Sequence, residues 1–190
     1  MEFNEILSLV RIKLSEDPHR LKHVEMCCKT AESLAKVHHA DADKAKIAAL
    51  LHDVTKLDSE KDQIQAINRC FGETYLKKYP KNLWHSLSAV CYAKEVCHVQ
   101  DEDILNAILY HASGRPNMSL VEKIVYVSDN IEPGRTHVTE ALRKSAMEDL
   151  DHALLENMEA KFQYLKAEGM KLVSLTEDAI RYYKNQEGGH

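Results

Sequence analysis

Apolar residues return at three- and four-residue steps along almost the whole chain, and this period constrains the fold more than any other feature. Only an α-helix brings positions i, i+3, i+4 and i+7 onto one face. Six glycines and four prolines in 190 residues leave few points at which the period can break. The two-residue alternation of a half-buried strand is absent. The expected fold class is therefore all-α, a compact helical bundle of about nine or ten helices. Phe3, Ile6, Leu7, Val10 and Leu14 form a first stripe, and Asp17-Pro18 reads as the cap and first turn of a second helix carrying Val24, Cys27, Cys28, Ala31, Leu34 and Ala35 inward. Asp41 or Asp43 caps a third helix, on which Ala45, Ala48, Ala49 and His52 share a face. Ile64, Ile67 and Phe71 mark a fourth helix ended by Gly72. A fifth starts near Asn82 with His85, Ala89, Tyr92, Ala93 and Val96 on one side, and a sixth follows Asp101. Ser119 with Glu122 is a capping-box pattern for the seventh. Thr139 to Met147, Leu150 to Ala167 and a last short segment from Ser174 to Tyr183 complete the bundle, with Leu154, Met158, Phe162 and Leu165 inward on the long helix.

No repeat or linker divides residues 1–187, so one domain is expected, and Gly188, Gly189 and His190 read as a remnant outside the functional sequence. A net charge of −5 gives no general attraction to nucleic acid or anionic membrane, so any phosphate binding must be local. No apolar run is long enough for a bilayer, and Met1 to Leu14 is amphipathic rather than ordered like a signal peptide, which points to the cytoplasm. Five cysteines without a Cys-x-x-Cys pair read as small core or edge residues, not as a disulfide framework.

Eleven histidines are unusual, and several leave apolar stripes near helix ends: His23, His52, His85 and His111, joined by Asp53 and Asp129. Helical bundles build metal sites from such side chains on facing helices. His23, His52, Asp53 and Asp129 offer two imidazoles and two carboxylates, a set suited to iron, manganese or zinc with positions left for water and substrate. Taken alone, the His52-Asp53 dipeptide would be a buried histidine followed by a cap; its weight comes from the other donors.

The spacing of His23, His52-Asp53 and Asp129 resembles the H…HD…D signature of HD-domain phosphohydrolases. Longer runs narrow the likeness: Leu50-Leu51-His52-Asp53-x-x-Lys56, His111-x-x-Gly114-Arg115-Pro116, and Asp129-x-Ile131-Glu132-Pro133-Gly134-Arg135. These resemble the bacterial YqeK-like family of symmetrical bis(5'-nucleosyl)-tetraphosphatases, over roughly Arg20 to Tyr183. The resemblance implies an HD-type bundle that hydrolyses diadenosine tetraphosphate (Ap4A) to two ADP, or to the GDP-type product of a related dinucleotide, with iron as the metal. It implies His23, His52, Asp53 and Asp129 as ligands of one or two ions. His85 and His111 would be additional pocket histidines that face the phosphates or help hold a second metal.

Cleaving an anionic, kinetically inert polyphosphate requires a nucleophile available at neutral pH and positive charge on the oxygens that gain charge. Asp53 is the expected proton acceptor, and His85 and His111 are expected to assist the departing phosphate if protonated. Lys56, Arg20, Arg115 and Arg135, together with Asp129, complete the expected substrate-binding set. Two other readings fit the same residues: an HD-domain enzyme acting on nucleoside mono- or triphosphates or cyclic dinucleotides, and a nucleotide sensor without turnover. A homodimer is left open.

Overall fold

The computed structural model describes residues 1–169 and 173–187, so Gly188, Gly189 and His190 lie outside the described residues. Eleven α-helices and no strand are found among them: α1 (Phe3–Lys13), α2 (Pro18–Val37), α3 (Ala42–Leu51), α4 (Glu60–Phe71), α5 (Thr74–Lys78), α6 (Trp84–Glu95), α7 (Glu102–Tyr110), α8 (Leu120–Ile131), α9 (Glu140–Glu148), α10 (Leu150–Ala167) and α11 (Ser174–Glu187). A single 3-10 turn, Lys81–Leu83, precedes α6. This is the expected all-α class.

Side-chain caps explain most of the starts. The Asp17 carboxylate accepts from Arg20 N with Pro18 at the first helical position, Asp41 accepts from Asp43 N and Lys44 N, and Asp101 does the same for α7. At α8 the Ser119 hydroxyl and the Glu122 carboxylate close a reciprocal box, as the sequence pattern predicts. The core forms one buried cluster in which α2, α3, α7 and α8 pack on one another and α10 closes over α8. Ala45, Ala48 and Ala49 are fully buried, and their small side chains let α3 lie close against α2.

Three departures from expectation have simple causes. Helix α5 is a single turn without a buried residue, held by Tyr79 N donating to Tyr75 O and by the stacked Tyr75 and Tyr79 rings, so no apolar stripe announces it. Val96, expected on the inner side of α6, is the residue at which that helix ends, and it is 38% exposed. Phe162 and Leu165 are half-buried, because α10 runs out past the core in its last two turns. Four of the cysteines are buried, Cys70 is half-buried, and all five are free thiols. Among the described residues no helix is long and apolar enough to cross a membrane.

The ends of several helices meet at one place. His52 and His111 are the residues on which α3 and α7 end, and Asp129 lies in the last turn of α8. Helix C-termini carry partial negative charge, so three of them directed at one centre favour a cation there. Gly114 ends α7 with φ +66°, its N–H bonding Tyr110 O at 2.8 Å; a Cβ at that position would stand 2.4 Å from Met158 Cε. The turn thus reverses the chain while α10 packs directly against it.

Candidate metal centre

His52 and Asp53 can face the same point because the chain coils tightly after α3. Val54 N, Lys56 N and Asp58 N donate to Leu51 O, Asp53 O and Thr55 O in succession, which turns Asp53 back toward the centre that His52 already faces. His23 arrives from the second turn of α2, His85 from the first turn of α6, and all six of His23, His52, Asp53, His85, His111 and Asp129 are buried.

Hydrogen bonds on the far side of each ring orient three of the imidazoles. His52 Nδ1–H donates to Ala49 O at 2.6 Å, His111 Nδ1–H to Ile108 O at 2.7 Å, and His23 Nδ1–H to the Glu132 carboxylate at 3.2 Å. In a neutral imidazole this leaves the lone pair on Nε2. Those Nε2 atoms converge. His23 Nε2 is 3.3 Å from His52 Nε2 and 3.2 Å from Asp129 Oδ1, while His52 Nε2 is 3.6 Å from Asp129 Oδ1 and 3.8 Å from Asp53 Oδ2. Lone pairs and carboxylate oxygens this close repel unless a proton or a cation lies among them. A divalent ion with bonds of about 2.1 Å has ligand edges of about 3.0 to 3.4 Å, close to these separations. Asp53 Oδ1 is also buried without a hydrogen-bond partner; Lys56 Nζ, His85 Nε2 and His111 Nε2 stand 3.4 to 3.5 Å away. Two overlapping groups of donors, His23, Cys27, His52 and Asp129, and His52, Asp53 and His111, each lie within 4.8 Å of one another. The residues fit a divalent metal.

The electrostatics agree. Burial pushes the Asp53 and Asp129 carboxyls up, but His52 beside both of them, with His111 and Lys56 near Asp53 and His23 near Asp129, holds each well below the ordinary carboxylate range. Burial pushes His52 down, yet the charges of Asp53 and Asp129 outweigh it and raise its pKa. His85 and His111 are both lowered by burial. They are therefore neutral at pH 7, and Lys56 Nζ, 2.8 Å from His85 Nε2, supplies the positive charge there instead.

The basic residues divide into two groups. Arg20 Nη1 bonds Asp53 Oδ2 at 2.5 Å, and Arg135 bonds both the carboxylate of Asp129, at 2.7 Å, and its carbonyl, at 2.9 Å. Arg115 is not brought to the cluster: its fork is spent on the buried Glu122 carboxylate at 2.7 and 2.9 Å, and its guanidinium lies over the Tyr110 ring. A cavity of about 580 Å³ opens beside the cluster, lined among others by Lys56, Lys81, His85, His111, Asp129 and Lys161. Its size is within the range small-molecule sites occupy, about 300 to 1,000 Å³.

Sequence reasoning missed three of these residues. Cys27 follows His23 by one turn and joins its donor group. Glu132 lies within the Asp129 run and orients His23; its other oxygen accepts from Gly134 N. Lys161 occupies an inward position in the α10 series Leu154, Met158, Lys161, Leu165, and a charged residue on an apolar stripe was the signal available for it. A carboxylate behind a metal-binding imidazole commonly supports about a ten- to hundredfold in affinity. Glu132→Gln is accordingly expected to weaken metal binding by about that factor, measured by titrating the stripped protein with metal; unchanged affinity would remove this role.

Comparison with known proteins points the same way. Residues 20–134 match the family model described as HD domain. A protein of Bacillus subtilis named symmetrical bis(5'-nucleosyl)-tetraphosphatase is 39% identical over 166 residues, spanning 87% of this chain and 88% of that one. One of the same name from Halalkalibacterium halodurans is 36% identical over 159 residues, spanning 83% and 84%. The crystal structure of a predicted HD superfamily hydrolase involved in NAD metabolism, from Clostridium acetobutylicum, superposes with a TM-score of 0.88 at 35% identity and covers 98% of both chains.

Proposed function

The chain belongs to the HD domain family, and from that membership we propose that it is a divalent-metal-dependent phosphohydrolase that splits Ap4A and related dinucleoside polyphosphates symmetrically into two nucleoside diphosphates. The observation that carries this reading is the convergence of His23 and His52 Nε2 with the Asp53 and Asp129 carboxylates. Those four residues would hold the ion, iron being the proposed occupant in the cytoplasm, with His111 and His85 beside Asp53 as candidates for a second. When bound, such an ion makes water more acidic and withdraws charge from a phosphoryl oxygen.

The chain's own groups supply the rest. Asp53 Oδ1, buried and without a hydrogen bond, is the acceptor for the proton of the attacking water, while Arg20 fixes Oδ2 and thereby the tilt of the carboxylate. Arg135 holds Asp129 in the same way. Lys56 brings an ammonium to the cavity wall, where charge accumulates on a departing diphosphate. Neutral His85 and His111 serve there as hydrogen-bonding groups.

Chromatography of the reaction products tests the proposal. Two ADP per Ap4A, with chelator abolishing turnover and divalent iron restoring it, is the expected result. AMP with ATP, or turnover confined to mononucleotides or cyclic dinucleotides, would replace the substrate assignment, and metal and nucleotide binding without turnover would favour a sensor.

A further inference from the structure

Three lysines line the cavity, and two are already engaged. Lys81 forms an ion pair with Glu60; Lys56 bonds His85 and stands 3.4 Å from Asp53 Oδ1. Lys161, from the middle of α10, is different. Among the described residues no carboxylate lies within ion-pair distance of it, and its Nζ rests over the face of Tyr126, 5.1 Å from the ring centroid. Tyr126 is itself fully buried, with its hydroxyl unpartnered. An aromatic face attracts an ammonium but leaves its three N–H donors unused. Asp129 draws on Lys161 only at longer range, its close partners being His23, His52 and Arg135.

The local balance of charge makes this unusual. Asp53, Asp129 and Glu132 are met by Arg20, Arg135, Lys56 and Lys161, and the other two acidic residues of the cavity, Asp58 and Glu60, are paired with Lys13 and Lys81, so a divalent ion at the cluster leaves an excess of positive charge around the cavity. Lys161 is half-buried at the cavity wall, and even partial removal of an ammonium from water without a compensating anion is unfavourable, so this burial lowers its pKa. A group held this way is matched by something absent from the protein alone, and a polyanion is the chemistry that satisfies both the spare donors and the surplus charge.

We infer that Lys161 is a substrate-contacting residue, its ammonium taking non-bridging oxygens of the polyphosphate chain and so favouring substrates with several linked phosphates over those with one. This rests on the phosphohydrolase reading above and deepens it by assigning the phosphate chain a contact on α10, outside the matched HD segment of residues 20–134.

The test compares metal-loaded wild-type protein with Lys161→Met, which keeps the length of the side chain, and Lys161→Arg, which keeps the charge. ADP affinity is measured by titration calorimetry, KM and kcat for Ap4A by product formation, and metal content and metal-free melting serve as controls. Lys161→Met is expected to weaken ADP binding and raise KM by about tenfold to a hundredfold, the usual worth of a hydrogen bond to a charged group. Metal content should not change, melting should stay level or rise because an unpaired cation has gone, and Lys161→Arg should recover most of the affinity. Wild-type ADP affinity in Lys161→Met overturns the inference. So does loss of metal and melting temperature in both variants, which would make Lys161 a structural counter-charge, or absence of ADP binding by the wild-type protein. If the wild-type protein binds ADP without producing it from Ap4A, the hydrolase reading fails and the binding comparison still decides the role of Lys161.

Discussion

Replacing His52 by alanine, or Asp129 by asparagine, is expected to reduce ADP formation from Ap4A by at least about a thousandfold while leaving a folded helical protein. A Lewis-acid ion supplies several kcal/mol to the transition state, and each 1.4 kcal/mol is about tenfold in rate. His52 stands at the centre of the cluster: its Nε2 faces His23, Asp53 and Asp129, and its other nitrogen is held by Ala49 O. Asp129 Oδ1 is approached by His23, His52 and Arg135 together. Asparagine keeps the shape of that side chain but removes the charge a divalent ion needs. Circular dichroism and melting in the metal-free state distinguish the loss of chemistry from unfolding. Near-normal turnover in either variant would show that the cluster is not the reacting centre.

The second large effect concerns stability. Glu122 is 1% exposed and does three things at once: it accepts Arg115 Nε and Nη2, and it accepts Ser119 N at 2.6 Å, closing the start of α8. Glu122→Ala should cost about 3 kcal/mol, combining a lost capping box with two charge-assisted bonds, with the half-exposed Arg115 recovering part of its hydration. For a chain of this size that lowers the melting temperature by about 6 to 12 °C. Below the transition, KM for Ap4A should change by less than about threefold, because Arg115 is held by Glu122 away from the cavity. A variant that melts like the wild type but binds substrate poorly would contradict this and restore Arg115 to the phosphate-binding set.

The contrast between Arg115 and Lys161 shows what was legible in the chain and what was not. The placement of the long helices follows from apolar period and caps, which are local, and Asp17-Pro18 and the Ser119–Glu122 box could be read directly, whereas the single-turn α5 carries neither signal. The convergence of these donors was legible because each leaves an apolar stripe near a helix end, so burial in a bundle brings them together. Partnerships between charged side chains are not local. Arg115 sits in a turn next to a site residue, which suggested a phosphate contact, yet the carboxylate seven residues later takes both sides of its fork. Lys161 is 32 residues beyond Asp129 in sequence, and only the packing of α10 on α8 brings it to the same cavity. The downward shift of His85 and His111 was equally hidden, since burial drives both, with the approach of Lys56 adding to it at His85 alone.

Anomalous X-ray scattering at the iron edge, from crystals of protein shown to release ADP from Ap4A, tests the central claim most directly. The predicted result is a peak bounded by His23 Nε2, His52 Nε2 and the Asp53 and Asp129 carboxylates, with bonds of about 2.0 to 2.2 Å. An active protein with no metal of any kind among these four side chains, or with its metal bound elsewhere, would contradict it.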